Sequence, residues 1–228
     1  MTDAEKTRRS PKRRAPLTRE RVLATAIALA DERGVAELTM RKLAKELGVE
    51  AMSLYNHVAS KGDLLDGMID IVFGEIDPPA EDGAWKAELR TRAVSTLAAL
   101  RRHRWAVGEM EGRSSHGSAN LRIHDAVLGC LLGAGFSDAM AVHAYSVQDA
   151  YIYGFALQQT DLSSQTPVDF AAEAQRQMVE YEAALVDFPH LVRVVGGHVA
   201  KVGYDYDDEF LFGLDVILDG LERLLEQR

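Results

Sequence analysis

The chain has 228 residues, of which 47% are hydrophobic and 27% charged. It is long enough to bury a sizeable core and has the composition of a water-soluble globular protein. No run of about 18 consecutive apolar residues is present, which argues against a membrane helix, and the single Cys130 excludes an internal disulfide. The net charge of −9 is not typical of a protein that binds nucleic acid.

The charge is distributed unevenly along the chain. Residues 1–61 contain 13 Lys and Arg against 8 Asp and Glu, a net +5, so the rest of the chain carries −14. A basic first quarter joined to an acidic remainder indicates a region that binds a polyanion. Because the N-terminus has no apolar signal-peptide core, we expect a cytoplasmic protein.

The first 76 residues combine a basic arm with four short helical patterns. Residues 1–16 lack apolar periodicity and are predicted to be a disordered basic arm, either a solubilising tail or a segment that follows DNA. Residues 17–76 are predicted to form a separate domain. Thr18 and Thr39 are expected to cap its first two helices, and Gly48 to end the second. The third helix is expected over residues 51–58 and the fourth over 61–75.

The segment 77–83, DPPAEDG, is the best candidate for a boundary between two domains. Residues 84–228 are predicted to form a larger helical domain, with helices over 85–103, 119–132, 138–159, 170–186 and 208–226 and a short helix after residues 188–190. Segments 160–169 and 196–208 are expected to be loop-like or irregular. The pattern contains no convincing strand, so the fold class is all-α.

The two short helices around Gly48 have the spacing of a helix-turn-helix. Ala44 allows a close crossing and Gly48 allows a sharp turn. Residues 17–68, above all GVAELTMRKLAKELGV and SLYNHVASKGDLL, closely resemble the DNA-binding domain of the TetR family of transcriptional repressors. The similarity continues, more loosely, into the tetracycline-repressor branch through AGFSDAMAVHAYSVQDAYIYGFALQQ and FLFGLDVILDGLERLL.

This resemblance implies a ligand-responsive repressor that binds a double-stranded operator with an inverted repeat. The expected DNA-contacting residues are Arg41, Ala51, Met52, Ser53, Tyr55, Asn56, His57 and Lys61. Phosphate contacts are expected from Arg41, Tyr55, His57 and Lys61, and base contacts from Ser53 and Asn56. Ala51 and Met52 can read only apolar features such as a thymine methyl group. Each of these side chains could instead be simply solvated.

A repressor of this kind is a dimer, because two heads must reach two half-sites. The apolar stripes of helices 138–159 and 208–226 are expected to pair with their symmetry mates, and Gly213 and Gly220 to allow a close approach of helices. The alternative is that both stripes are buried within one chain.

The resemblance places a small-molecule effector site inside the second domain. The effector is expected to be a drug-sized, partly apolar molecule. The expected lining residues are Arg92, Thr96, Trp105, Glu109, Met110, Arg113, Asn120, His124, Val142, Tyr145, Asp149 and, from the partner subunit, Gln158. Each polar member could instead make an internal hydrogen bond. We expect no cofactor and no metal, because Asp77 or a near neighbour and Met110 replace the histidines that hold a magnesium–drug complex in the tetracycline repressor.

Three other functions fit parts of the pattern. The chain could be an activator or a regulator without a ligand, since the sequence does not separate these from a repressor. A helical adaptor for protein partners would show no salt-dependent DNA binding and no closed pocket. A hydrolase is the weakest alternative, because the sequence shows no nucleophile elbow, phosphate loop or metal-ligand spacing.

Overall fold

The computed structural model describes residues 16–110, 117–162, 176, 187–199 and 205–227, and no strand occurs among them. The first domain contains α1 (Arg19–Arg33), a 3₁₀ turn (Val35–Glu37), α2 (Met40–Leu47), α3 (Ala51–Leu54) and α4 (Lys61–Gly74). The second contains α5 (Trp85–Arg102), α6 (Ala106–Met110), α7 (Ser118–Gly133), α8 (Asp138–Leu162), α9 (Pro189–Leu191), a π-helical segment (Val192–Val199) and α10 (Tyr206–Glu226). The all-α fold is confirmed.

The residues predicted to cap the first helices do so. The Thr18 side chain accepts a hydrogen bond from the Arg21 amide, and Thr39 accepts one from the Lys42 amide. Gly48 ends α2 at φ 68°, in the left-handed region that favours glycine. The helices bury a common core that includes Val22, Leu43, Leu54 and Leu64. We call α1–α3 the head and α5–α10 the body.

The third helix is shorter than predicted, because α3 ends at Leu54 rather than near residue 58. No side chain caps its N-terminus, and the bonds that follow are mostly of the tighter i→i+3 kind, from the Tyr55, Asn56 and His57 amides. Leu54 and Val58 are both buried. The chain therefore turns immediately, and Tyr55, Asn56 and His57 lie in turns.

Several boundaries in the body also differ from the sequence prediction. The predicted loop at 160–169 begins later, because α8 continues to Leu162. The irregular segment predicted at 196–208 includes the end of the π-helical segment and the start of α10, where Asp205 accepts hydrogen bonds from the Asp207 and Asp208 amides. Residues 163–169, and the helix predicted over 170–186 apart from a helical residue 176, lie outside the described residues.

Helix α4 joins the head to the body. It packs against α1 on one side and against α5, α6 and α7 on the other. The core continues without a break through Met68, Val72 and Phe73 into Leu89 and Val127. A shift of α4 therefore moves residues of both parts together.

Gly213 permits α8 and α10 of the same chain to cross closely. A β-carbon at this position would lie 2.8 Å from the Tyr151 Cζ atom, and the Tyr151 hydroxyl is held in place by hydrogen bonds to the Phe210 and Glu209 carbonyls. A β-carbon at Gly220 meets nothing within 4 Å of the same chain.

Replacing Gly213 by alanine should lower the free energy of unfolding by about 1–3 kcal/mol, because the Tyr151 ring must be displaced. Gly220→Ala is the matched control, and within one chain it should be neutral or slightly stabilising. Urea unfolding followed by circular dichroism measures both. Equal stability of Gly213→Ala and the wild type would contradict the close crossing.

Candidate functional sites

The residues predicted to contact DNA share one surface character, since all are exposed or half-buried. Met52 is 75% exposed and Tyr55 45% exposed. Both large side chains are therefore accessible to a partner at the surface of the head. Arg41 lies in the first turn of α2 and Lys61 in the first turn of α4, so the N-termini of two helices and the α3 turn together present donors for phosphate groups.

The turn after α3 is held in place by side chains of α1 and α4. Arg19 donates from Nη1 to the His57 carbonyl (2.7 Å) and pairs with Asp63 through two hydrogen bonds of 3.0 and 2.7 Å. Asp63 also accepts from the Ala59 amide (2.7 Å), and the Ser60 side chain caps α4. The hydrogen bonds from Arg19 and the Ala59 amide lower the pKa of the Asp63 carboxyl. These contacts hold His57 and Lys61 in a fixed relation.

Arg19 and Asp63 were not among the predicted site residues. Asp63 follows Ser60 at the spacing of a capping box, a signal that the sequence does contain. Its contact with Arg19, 44 positions away, carries no local signal.

The body contains a buried charged side chain, Arg92, that lies against other predicted ligand residues. The Arg92 side chain is 1% exposed; its Nη2 lies 2.7 Å from Asp149 Oδ1, and its Nη1 donates to Gln148 (3.0 Å). Its guanidinium carbon lies 5.8 Å from the centre of the Tyr145 ring. Burial and the neighbouring Asp149 carboxylate raise the pKa of the Tyr145 hydroxyl, so this group stays protonated.

An aromatic cluster continues from Tyr145. The His124 ring lies 4.9 Å from the Tyr145 ring and 6.5 Å from that of Phe73 on α4. His124 Nδ1 lies 2.9 Å from the Asn120 carbonyl, which can only accept, so Nδ1 carries a proton. The Asp70 carboxylate of α4 accepts from the Ala119 amide (2.8 Å) and the Asn120 amide (3.2 Å) at the start of α7.

Some polar atoms of this region have no hydrogen-bond partner although they are buried: Arg92 Nε, Asn120 Oδ1 and Asp149 Oδ1. The Asp149 oxygen lies close to the Arg92 guanidinium, so its charge is balanced although no aligned hydrogen bond forms. A buried polar group without a partner is costly. Such atoms are therefore candidates for contact with a bound molecule.

The remaining predicted ligand residues are placed differently. The Thr96 hydroxyl donates to the Arg92 carbonyl of its own helix (2.8 Å). The Trp105 indole donates to Asp31 on α1 (2.7 Å) and therefore lies at the contact with the head. Met110 and Glu109 are half-buried on α6, Val142 is 57% exposed, and Arg113 lies outside the described residues. Gln148, which accepts a hydrogen bond from Arg92, and Asp70 lie in the same region and were not among the predicted residues.

Gln158 is exposed in a groove of about 390 Å³ between α8 and α10, which is lined by Ala150, Tyr151, Gly154, Phe155, Gln158, Glu209, Phe212 and Gly213. Large apolar side chains beside this groove are exposed, including Phe212 (70%) and Val216 (53%).

No described helix is both long and apolar enough to cross a membrane. Within the described ranges, no group of three His, Cys, Asp or Glu side chains is placed to hold a metal ion.

Comparison with known proteins identifies two family models along the chain. Residues 22–68 match the bacterial regulatory proteins of the tetR family, and residues 77–225 match the tetracyclin repressor-like C-terminal domain. The transcriptional repressor DrrR1 of Streptomyces coeruleorubidus is 37% identical over 219 residues, which are 93% of this chain and 80% of DrrR1. The Escherichia coli class D tetracycline repressor is 42% identical over 93 residues, covering 40% of this chain and 43% of that protein.

Solved structures agree with these sequence matches. The Streptomyces coelicolor protein ActR in complex with actinorhodin superimposes with a TM-score of 0.76 at 28% identity, covering 92% of this chain and 99% of ActR. A TetR variant from Acinetobacter baumannii in complex with minocycline gives a TM-score of 0.65 at 28% identity, covering 91% and 94%. The chain therefore belongs to the tetR family of bacterial regulatory proteins and is a ligand-responsive, DNA-binding transcriptional repressor.

Proposed function

We propose that a homodimer of this protein binds an inverted-repeat operator and that an effector bound in the body releases it. The observation that supports DNA contact most directly is the exposure of Tyr55 and Met52 on the α3 turn, beside a His57 backbone fixed by Arg19. Tyr55, His57, Arg41 and Lys61 bind phosphates, and Ser53 and Asn56 read base edges. Ala51 and Met52 contribute apolar contacts.

The dimer forms through α8 and α10. Val147, Leu157, Phe212, Val216 and Leu224 expose 43%, 44%, 70%, 53% and 50% of their surface on these two helices. An apolar face of this kind on a folded chain marks an association surface. A two-fold dimer presents two heads to two half-sites, whose spacing must match that of the heads.

The effector binds where α5, α7 and α8 meet. Arg92 Nε is a donor and Asn120 Oδ1 is an acceptor that a ligand can satisfy. The His124 and Tyr145 rings offer a stacking surface. This combination suits a flat aromatic molecule that carries both hydroxyl and carbonyl groups. The ligands of the two similar structures, actinorhodin and minocycline, support this choice.

Release is a shift between two arrangements of the heads. Phe73 and Asp70 of α4 contact the ligand region through His124 and the start of α7, and Asp63 at the other end of α4 contacts the head. Ligand and operator favour different positions of α4, and their coupling is reciprocal.

Operator binding is tested by fluorescence anisotropy with labelled DNA from upstream of the protein's own gene, at two salt concentrations. Tyr55→Ala should weaken the complex about tenfold or more, since it removes a phosphate contact and a fixed ring. Phe188→Ala, which truncates an aromatic side chain that is 57% exposed on the body, is the matched control. The proposal is refuted if the wild type binds the upstream DNA no more tightly than random DNA and if its affinity does not fall with salt.

A further inference from the structure

His103 occupies the turn between α5 and α6 and contacts three parts of the protein at once. Its side chain is 9% exposed. Nδ1 lies 2.8 and 3.1 Å from the two carboxylate oxygens of Asp31, in the last turn of α1. Nε2 lies 3.2 Å from Glu75 Oε1, immediately after α4. One imidazole ring thus joins the head, the connecting helix and the body.

Neighbouring side chains hold both carboxylates in place. The Trp105 indole donates to Asp31 Oδ1 (2.7 Å). Arg102 donates to Glu75 Oε2 from Nε (3.0 Å) and Nη2 (2.7 Å). Burial disfavours a charged Glu75, but the hydrogen bonds from Arg102 and His103 outweigh it, so the pKa of Glu75 is lowered. Both acceptors are consequently fixed and Glu75 is ionised at neutral pH.

The hydrogen-bond pattern depends on the protonation of His103. Ionised carboxylates only accept hydrogen bonds, and a neutral imidazole has only one N–H to donate. Only the imidazolium form satisfies Asp31 and Glu75 together. It also balances the charge, because the ring lies between Asp31 from α1 and Glu75 from the end of α4, and Glu75 also pairs with Arg102 of α5.

We propose that His103 is a proton-dependent latch that positions the head for operator binding. The protonated ring holds α1 and the end of α4 against the body, and loss of the proton releases one of the two carboxylates. Histidine is the side chain that changes charge between about pH 5 and 8. A head held in one orientation loses less freedom on binding DNA than a loose one, so protonation strengthens the operator complex. This inference rests on the proposed mode of operator binding.

The first experiment compares operator affinity with pH at constant ionic strength. From pH 6 to pH 8 the wild-type dissociation constant should rise about fivefold more than that of His103→Gln, a change typical of coupled sites. His57 lies at the proposed DNA surface in both proteins, so the comparison with His103→Gln cancels its contribution. His143→Gln, at an exposed histidine of α8, is the matched control and should follow the wild type. Identical curves for wild type and His103→Gln, or the opposite slope, would overturn the latch.

Two further measurements keep the test decisive. If His103→Gln does not fold, Glu75→Gln replaces it, because the amide keeps the shape and removes one of the two charges. Nitrogen-15 NMR of the labelled full-length protein without DNA should show His103 with both ring nitrogens protonated at pH 6. It should also show α1 and α4 amides shifting as His103 loses a proton. If the His103 ring stays neutral at every pH, the latch is refuted even if operator binding is confirmed. If instead the protein does not bind the operator, the proposed function fails, but the NMR result for His103 still stands.

Discussion

Replacing Phe212 by glutamate should convert the protein to a monomer and abolish tight operator binding. Phe212 is the most exposed large apolar side chain of α10, at 70%, and it lines the groove between α8 and α10. A carboxylate at this position would have to lose its hydration in an apolar interface, which is strongly unfavourable without a partner. Separate heads also lose the gain from binding two linked half-sites, which is worth about 10²- to 10⁴-fold in affinity.

The matched control for this change is Phe188→Glu, since Phe188 is 57% exposed but lies outside α8 and α10. Analytical ultracentrifugation measures the mass of each variant, and fluorescence anisotropy measures its affinity for the operator. The control should remain a dimer with wild-type affinity. A dimeric Phe212→Glu protein that binds the operator normally would mean that the heads are paired through another surface.

Local signals in the sequence determined much of the head. Thr18, Thr39 and Gly48 act through residues within one helical turn, so a linear pattern was sufficient to predict their roles. The length of α3 was predicted wrongly, because the choice between i→i+3 and i→i+4 bonds after Leu54 depends on how Val58 is buried. Tertiary packing therefore sets the length of α3, and the local sequence does not show this packing.

The sites in the body were harder to predict for a related reason. Trp105 was assigned to the ligand site from its place in the chain, whereas its indole reaches Asp31, 74 positions away. Arg92 and Asp149 are both predicted ligand residues, but only the fold shows that they form one buried pair. Periodicity identifies the buried face of a helix, whereas the partner of a buried charge depends on the packing of several helices.

That buried pair gives the second large effect. Arg92→Met should lower the free energy of unfolding by about 3–5 kcal/mol, because it leaves the Asp149 carboxylate, 13% exposed, without its counter-charge. The double variant Arg92→Met, Asp149→Leu should recover most of this loss, since an apolar pair of similar volume can replace a buried ion pair. Urea unfolding of both variants and the wild type measures the difference.

The recovered double variant separates stability from ligand response. It should still bind the operator, because both substitutions lie in the body, far along the chain from Tyr55 and Lys61. A panel of compounds that includes actinorhodin and minocycline is first screened for one that releases the wild type from the operator. The double variant should no longer respond to that compound. Asp215→Leu, which removes the exposed partner of Arg90, is the control and should keep the response. A double variant that is stable and still released would place the effector away from Arg92 and Asp149, whereas one that stays as unstable as Arg92→Met would show that the pair is needed for folding itself.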